Sequence, residues 1–203
     1  MTTGSGSART ATGLLPLHAW VDESMIQLGR EGTYLLAAVV SDSAACDATR
    51  AVLRSLRTGR EPKLHWSTEK PSRRARITAA VAKFDIPSVV VIGTPLDQRR
   101  QERARRCCME ELLPYLAGLG VAQVWLEART ASLNAKDRAH IEAMRGRQLL
   151  TTALRIDVAR PSEEPMLWLP DVVAGAVSAA HQGEGRYLEP LRPMITQLHT
   201  DVR

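Results

Sequence analysis

Three acids in this 203-residue sequence stand where a carboxylate can meet both a hydrophobic core and water. Asp22, followed by Glu23, closes the apolar run "LHAWVD"; Glu127 closes "VWLE"; Asp171 lies in "LWLPDVVAGAV". A carboxylate ending an apolar strand can face a cleft at the sheet edge without being buried unpaired. Each acid also has a plainer reading. Asp and Ser close strands in turns, Glu127 can pair with Arg129 on the surface, and the helix dipole favours an acid in a first turn. For Asp171 the surroundings add weight. Its stretch is rich in Ala, Val and Gly, with no Lys or Arg before Arg186. That predicts a buried helix, where an acid needs a partner or a metal.

The segment "KLHWSTEK" at 63–70 adds His65 and Trp66 in a basic loop. His65 has the chemistry of a general base, a metal ligand or a substrate contact, and Trp66 can stack on a nucleic-acid base. A lone loop histidine is, on the plainer reading, simply exposed. His18, His140, His181 and His199 show no ligand spacing. Cys46, Cys107 and Cys108 lack the C-x-x-C pattern of a zinc or disulfide framework and read as small apolar side chains. Asn134 and Asp137 are spaced like a helix cap with an acid three residues on.

Charge is uneven along the chain. Twenty-seven basic residues against 22 acidic give +5, yet only four are lysines, so an excess of Arg and Ala explains part of the balance without any ligand. Position is more informative. Arg54, Arg57, Lys63, Arg73, Arg74 and Arg76 crowd one segment, "RRQERARR" occupies 99–106, and residues 111–203 are nearly neutral. Such clustering suits backbone phosphates. Solvated helix faces are the alternative.

The elements that must position these groups alternate in type. Short apolar runs at 17–22 and 33–41, parted by polar "ESMIQLGREG", predict a hairpin. Helical spacing marks a helix from Ser43, as N-cap, to Leu56, and another carrying Ile77, Ala80, Val81 and Phe84. A strand follows at 88–94, then a helix over about 97–117 that Pro114 should kink or shorten. A strand at 121–128, a helix opening at 134–137, a weak strand at 152–159 and a final helix at 169–180 complete the series. The pattern predicts an α/β fold of three layers, a mixed sheet of about five strands with helices on both faces. Residues 1–14 read as a disordered tail and 15–203 as a single domain. No apolar run reaches the length of a membrane span and the N-terminus lacks a secretory core, so the expected location is the cytoplasm, with no membrane partner.

In this order, "WVDES", a strand, "KLHW", "VWLEAR" and "LPDVVAGAV", the chain resembles the bacterial domain-of-unknown-function family 3800, whose members have an RNase-H-like fold. The resemblance spans about residues 17–190. It implies a nuclease-type centre in which acids on the first strand, a central strand and a late helix hold divalent metal. In this sequence those are Asp22, Glu127 and Asp171 as catalytic and metal residues, with Mg²⁺ or Mn²⁺ as cofactor and His65 as a proton-transfer or positioning group. Hard cations suit oxygen ligands, and two of them about 4 Å apart can serve phosphodiester hydrolysis. Nucleic acid is then the partner, with Arg54, Arg57, Lys63, Trp66, Arg73, Arg74 and Arg76 as substrate-binding residues.

The sequence also departs from the family. Where members carry a Glu-x-Lys motif it has Lys63-Leu64-His65, leaving Glu61 or His65 as replacements for the missing glutamate, and the central acid is Glu where Asp is commoner. The alternative is therefore a catalytically inactive RNase-H-like protein that binds nucleic acid or a protein partner. A structural role as a homodimer is a third reading.

Overall fold

A computed structural model describes residues 16–28, 31–58 and 61–203. The expected tail at 1–14 lies outside them. Its centre is a mixed sheet of six strands: β1 (Leu17–Leu28), β2 (Glu31–Asp42), β3 (Ser88–Leu96), β4 (Val121–Glu127), β5 (Arg155–Ala159) and β6 (Ile195–Asp201), in the order β5-β4-β1-β2-β3-β6. The β1–β2 and β2–β3 pairs are antiparallel, whereas β4 runs parallel to β1, β5 to β4 and β6 to β3.

Alternation along the central strands divides the core in two. Trp20, Leu35, Ala37, Val39, Val90 and Ile92 point to one face, where α1 (Cys46–Leu56), α2 (Pro71–Ala82) and α5 (Trp168–His181) cover them. Ala19, Val21, Leu36, Ala38, Val89 and Val91 point to the other, beneath α3 (Gln101–Gly118) and α4 (Ala131–Gly146). The result is the three-layer α/β arrangement that the sequence predicts. Helix α5 is buried along most of its length, as its lack of basic residues implies.

Several expectations need correcting. The polar stretch after Asp22 is not a connection but the second half of β1, paired with β2 from Asp22↔Ala37 to Leu28↔Glu31. Its pairing with β4 stops at Val21↔Leu126, so the strand loses a neighbour and turns polar. The sixth strand, "ITQLHTD", is missing from the five-strand expectation because, at the sheet edge, it keeps only Leu198 and Ile195 packed against the core. Ser43 does not cap α1; the N-cap is Ala45, with no side-chain cap, and Asp42 fixes the turn that leads into the helix, its Oδ1 accepting the N–H groups of Ala44 and Ala45 at 2.9 and 2.8 Å. Helix α3 runs through Pro114 to Gly118 instead of ending early. Helix α4 starts at Ala131, capped by Thr130, so Asn134 and Asp137 lie inside it. Cys46 and Cys108 are buried free thiols, and burial pushes that of Cys108 up to about 12. Among the described residues no helix is long and apolar enough to cross a membrane.

Candidate active site

The parallel pairing of β1 with β4 brings the first two acids together. Trp20 lies beside Trp125 and Val21 beside Leu126, so Asp22 and Glu127 are the next residues along both strands. By the two-residue period they share the face of Trp20 and Trp125, toward α5. Glu127 is the last residue of β4, and the site sits at the carboxyl end of that strand, where open α/β sheets commonly place ligands. Asp22 is thus not at the end of β1; it is at the point where β1 outruns β4.

Asp171 comes to the same place from the first turn of α5. Its Oδ2 accepts the backbone N–H of Trp66 at 2.8 Å and lies 3.2 Å from His65 Nδ1. Burial is the main cause that raises the Asp22 carboxyl well above the ordinary range, and the Glu127 and Asp171 carboxylates add to it. Residues up to 149 positions apart in sequence (171 minus 22) therefore share one electrostatic environment. Among the described residues no cation pairs with Asp22, whose Oδ1 accepts only the Glu23 N–H at 2.8 Å. Glu127 is paired, through Oε1, with Lys63 Nζ at 3.1 Å.

The loop from 61 to 70 that supplies Lys63 and His65 is held by packing on α5. Trp66 is buried, edge-on to Tyr187 and beneath the Arg74 guanidinium, 5.0 Å from the ring centroid. A Cβ at Gly175 would overlap Trp66 Cγ, so the "AGAV" glycine is what lets loop and helix meet. Trp66 accordingly packs the loop onto the core instead of offering a face to a base. Arg74 donates to the carbonyls of Trp66 and Ser67, and Arg73 to Glu69 and the carbonyl of Leu56. Both tie the loop down. Arg54, Arg57 and Arg76 are exposed.

A cleft of about 470 Å³ opens between this loop and Pro161–Ser162; none of the three acids lines it, and it adjoins them through Lys63 and His65, which pair with Glu127 and Asp171. Arg57, Thr58, Glu61, Lys63 and His65 line it. The hydrogen bond to Asp171 raises the His65 pKa against the opposing effect of burial. With Nδ1–H given to Asp171, Nε2 is the nitrogen free for water or substrate.

The opposite face holds a group that sequence reasoning missed. Glu23 points away from Asp22 and meets Arg105, only 2% exposed, which also holds Asp137 at 2.9 Å. Arg129 joins them, 3.3 Å from Glu23 and paired with Glu102, so the expected Glu127–Arg129 contact is not formed. "RRQERARR" reads as a solvated basic run, but Arg105 is in helical register with buried Met109, Leu112 and Leu116. Asp137, read as part of a helix start, is 6% exposed and fully engaged.

Among the described residues no three His, Cys, Asp or Glu side chains are gathered closely enough to hold a metal ion as they stand. The donor chemistry nevertheless fits a hard cation: all three acids offer carboxylate oxygens, and Asp22 has no countercharge among the described residues. Compared with family models, curated proteins and solved structures, the chain matches none.

Proposed function

We propose that the acid cluster and the cleft adjoining it form the active site of a divalent-metal-dependent nuclease of RNase-H-like fold, hydrolysing phosphodiester bonds in DNA or RNA. The observation that carries this reading is that Glu127, beside Asp22 across β1 and β4, and Asp171 on α5 bring their charge to bear on Asp22, which has no cation partner among the described residues. Bringing like charges together costs free energy, and a hard cation is the natural compensation. The three positions, on the first strand, on the strand beside it and on a late helix, are those the family resemblance implies.

In this reading Asp22, Glu127 and Asp171 hold Mg²⁺ or Mn²⁺, which when bound supplies charge stabilisation and an activated water. The chain's own groups do the rest. His65, fixed through Nδ1 by Asp171, has Nε2 available to pass a proton to or from a phosphate-ester oxygen in the cleft. Arg57 on the wall and exposed Arg54 and Arg76 hold backbone phosphates without reading sequence. Trp66, Arg73 and Arg74 keep the loop that carries His65 in place.

The pairing of Lys63 with Glu127 and of His65 with Asp171 favours one other reading, an inactive protein that binds nucleic acid or a protein partner. Cleavage of end-labelled single- and double-stranded DNA and RNA, with Mg²⁺ or Mn²⁺, separates the two. The nuclease reading expects metal-dependent products from the wild type and none from Asp22→Ala. Equal cleavage by both proteins, or none by either, defeats it.

A further inference from the structure

We infer that Lys63 is a resident cation of the acid cluster, so that the site takes a single divalent ion instead of a pair. The inference rests on the metal-binding reading above and adds a stoichiometry to it. Lys63 Nζ stands 3.1 Å from Glu127 Oε1, and both side chains are largely covered, at 29% and 19% exposed. Water screens such a pair less than it would a surface one. The ammonium already neutralises one of three carboxylates. A first ion drawn to Asp22 and Asp171 would offset the other two carboxylates, and a second would meet net repulsion from the ammonium and the first ion together.

Geometry points the same way. Leu64, between Lys63 and His65, is buried in the core, and Trp66 is locked against Gly175. The backbone carrying Lys63 is therefore anchored within one residue on its C-terminal side, so the lysine is built into the site and is not a surface side chain that happens to reach it. On the cleft wall around it Arg57 adds positive charge, and the only carboxylates lining the cleft are Glu61 and Glu69. Glu69 is committed to Arg73.

The test is Mn²⁺ binding to the full-length protein, with free Mn²⁺ counted by electron paramagnetic resonance, for wild type, Lys63→Met and Lys63→Arg. The inference expects one tight Mn²⁺ per wild-type chain, binding about tenfold tighter in Lys63→Met, which removes the competing charge, and near the wild-type value in Lys63→Arg, which keeps it. Lys63→Gln serves as a second neutral variant if Lys63→Met does not fold, as judged by circular dichroism. Two ions per wild-type chain, or no tightening in the neutral variants, overturns the inference while leaving the metal-binding reading intact. No Mn²⁺ bound by any of the proteins overturns both.

Discussion

Asp22 and Glu23 are neighbours on β1 that face opposite layers of the sheet: Asp22 meets the charge of Glu127 and Asp171, and Glu23 meets Arg105 and Arg129. A similar crossing occurs at the end of β4, where Glu127 faces Lys63 and Arg129, two residues beyond the strand, turns to the other side. An ion-pair network on one face thus clamps the two backbone segments that present acids on the other.

That clamp predicts the effect of Arg105→Met. Removing the guanidinium leaves Glu23 and Asp137 without their main countercharge in a buried setting, a loss of about 3–5 kcal/mol. Urea unfolding followed by circular dichroism measures it. A change below about 1 kcal/mol, the size of a surface pair, would mean that the network is solvated and does not hold the strands.

Gly175→Ala tests the seating of the loop. The new methyl meets the Trp66 ring, and relieving the overlap costs about 1–3 kcal/mol. The loop must shift, weakening the Trp66 N–H bond to Asp171, so amide exchange at Trp66 should speed up more than at Val90 in the sheet core. Equal exchange at both positions would show that the helix yields and the loop does not.

The acid side of stability is read from Glu164. Burial raises its pKa, but the hydrogen bonds from Arg50 and from the Met166 N–H outweigh this and lower it below the usual 4.5. An acid with a depressed folded-state pKa stabilises above its unfolded value and loses that contribution as pH falls through the folded one. The stability gap between wild type and Glu164→Gln should be full at neutral pH and shrink below about 4.5. A gap that holds constant into strong acid contradicts the assignment.

Phosphate contacts are tested with salt. Replacing Arg54, Arg57 and Arg76 together by Ala should weaken binding of DNA or RNA and flatten the plot of log affinity against log salt by up to about 3 in slope, near one per lost contact. Arg73→Ala should instead lower stability, because its guanidinium is spent on Glu69 and Leu56. An unchanged slope in the triple variant would move the nucleic-acid surface elsewhere.

Much of this was legible in the sequence, for reasons that differ by element. Strands β2 and β3 announce themselves because both of their faces are buried along most of their length, β4 because buried Val121, Val124 and Leu126 make it apolar, and α5 because it is buried along most of its length. The continuation of β1 past Asp22 and the edge strand β6 do not, since a strand with one neighbour or one solvated face can afford polar residues. The acids could be singled out from where they fall on apolar runs, but their meeting depends on β1 and β4 pairing in parallel across a hundred residues, which no local pattern encodes. Trp66 illustrates the reverse. An aromatic in a basic loop suggests stacking on a base, and only Gly175, far along the chain, shows that the ring has a slot in the core.

The acid cluster itself is tested most directly by thermal unfolding of wild type and Asp22→Asn, without metal and in millimolar Mn²⁺. Without metal the variant should melt higher, since it is freed from the burial of a charge and the repulsion by Glu127 and Asp171 that together raise the Asp22 pKa. An ion bound only by the native state should lift the wild-type midpoint, by about 2.7 kcal/mol of stability at a hundred times its dissociation constant, and leave the variant nearly unmoved. If Mn²⁺ shifts neither protein, or shifts both alike, Asp22, Glu127 and Asp171 are not a cation site.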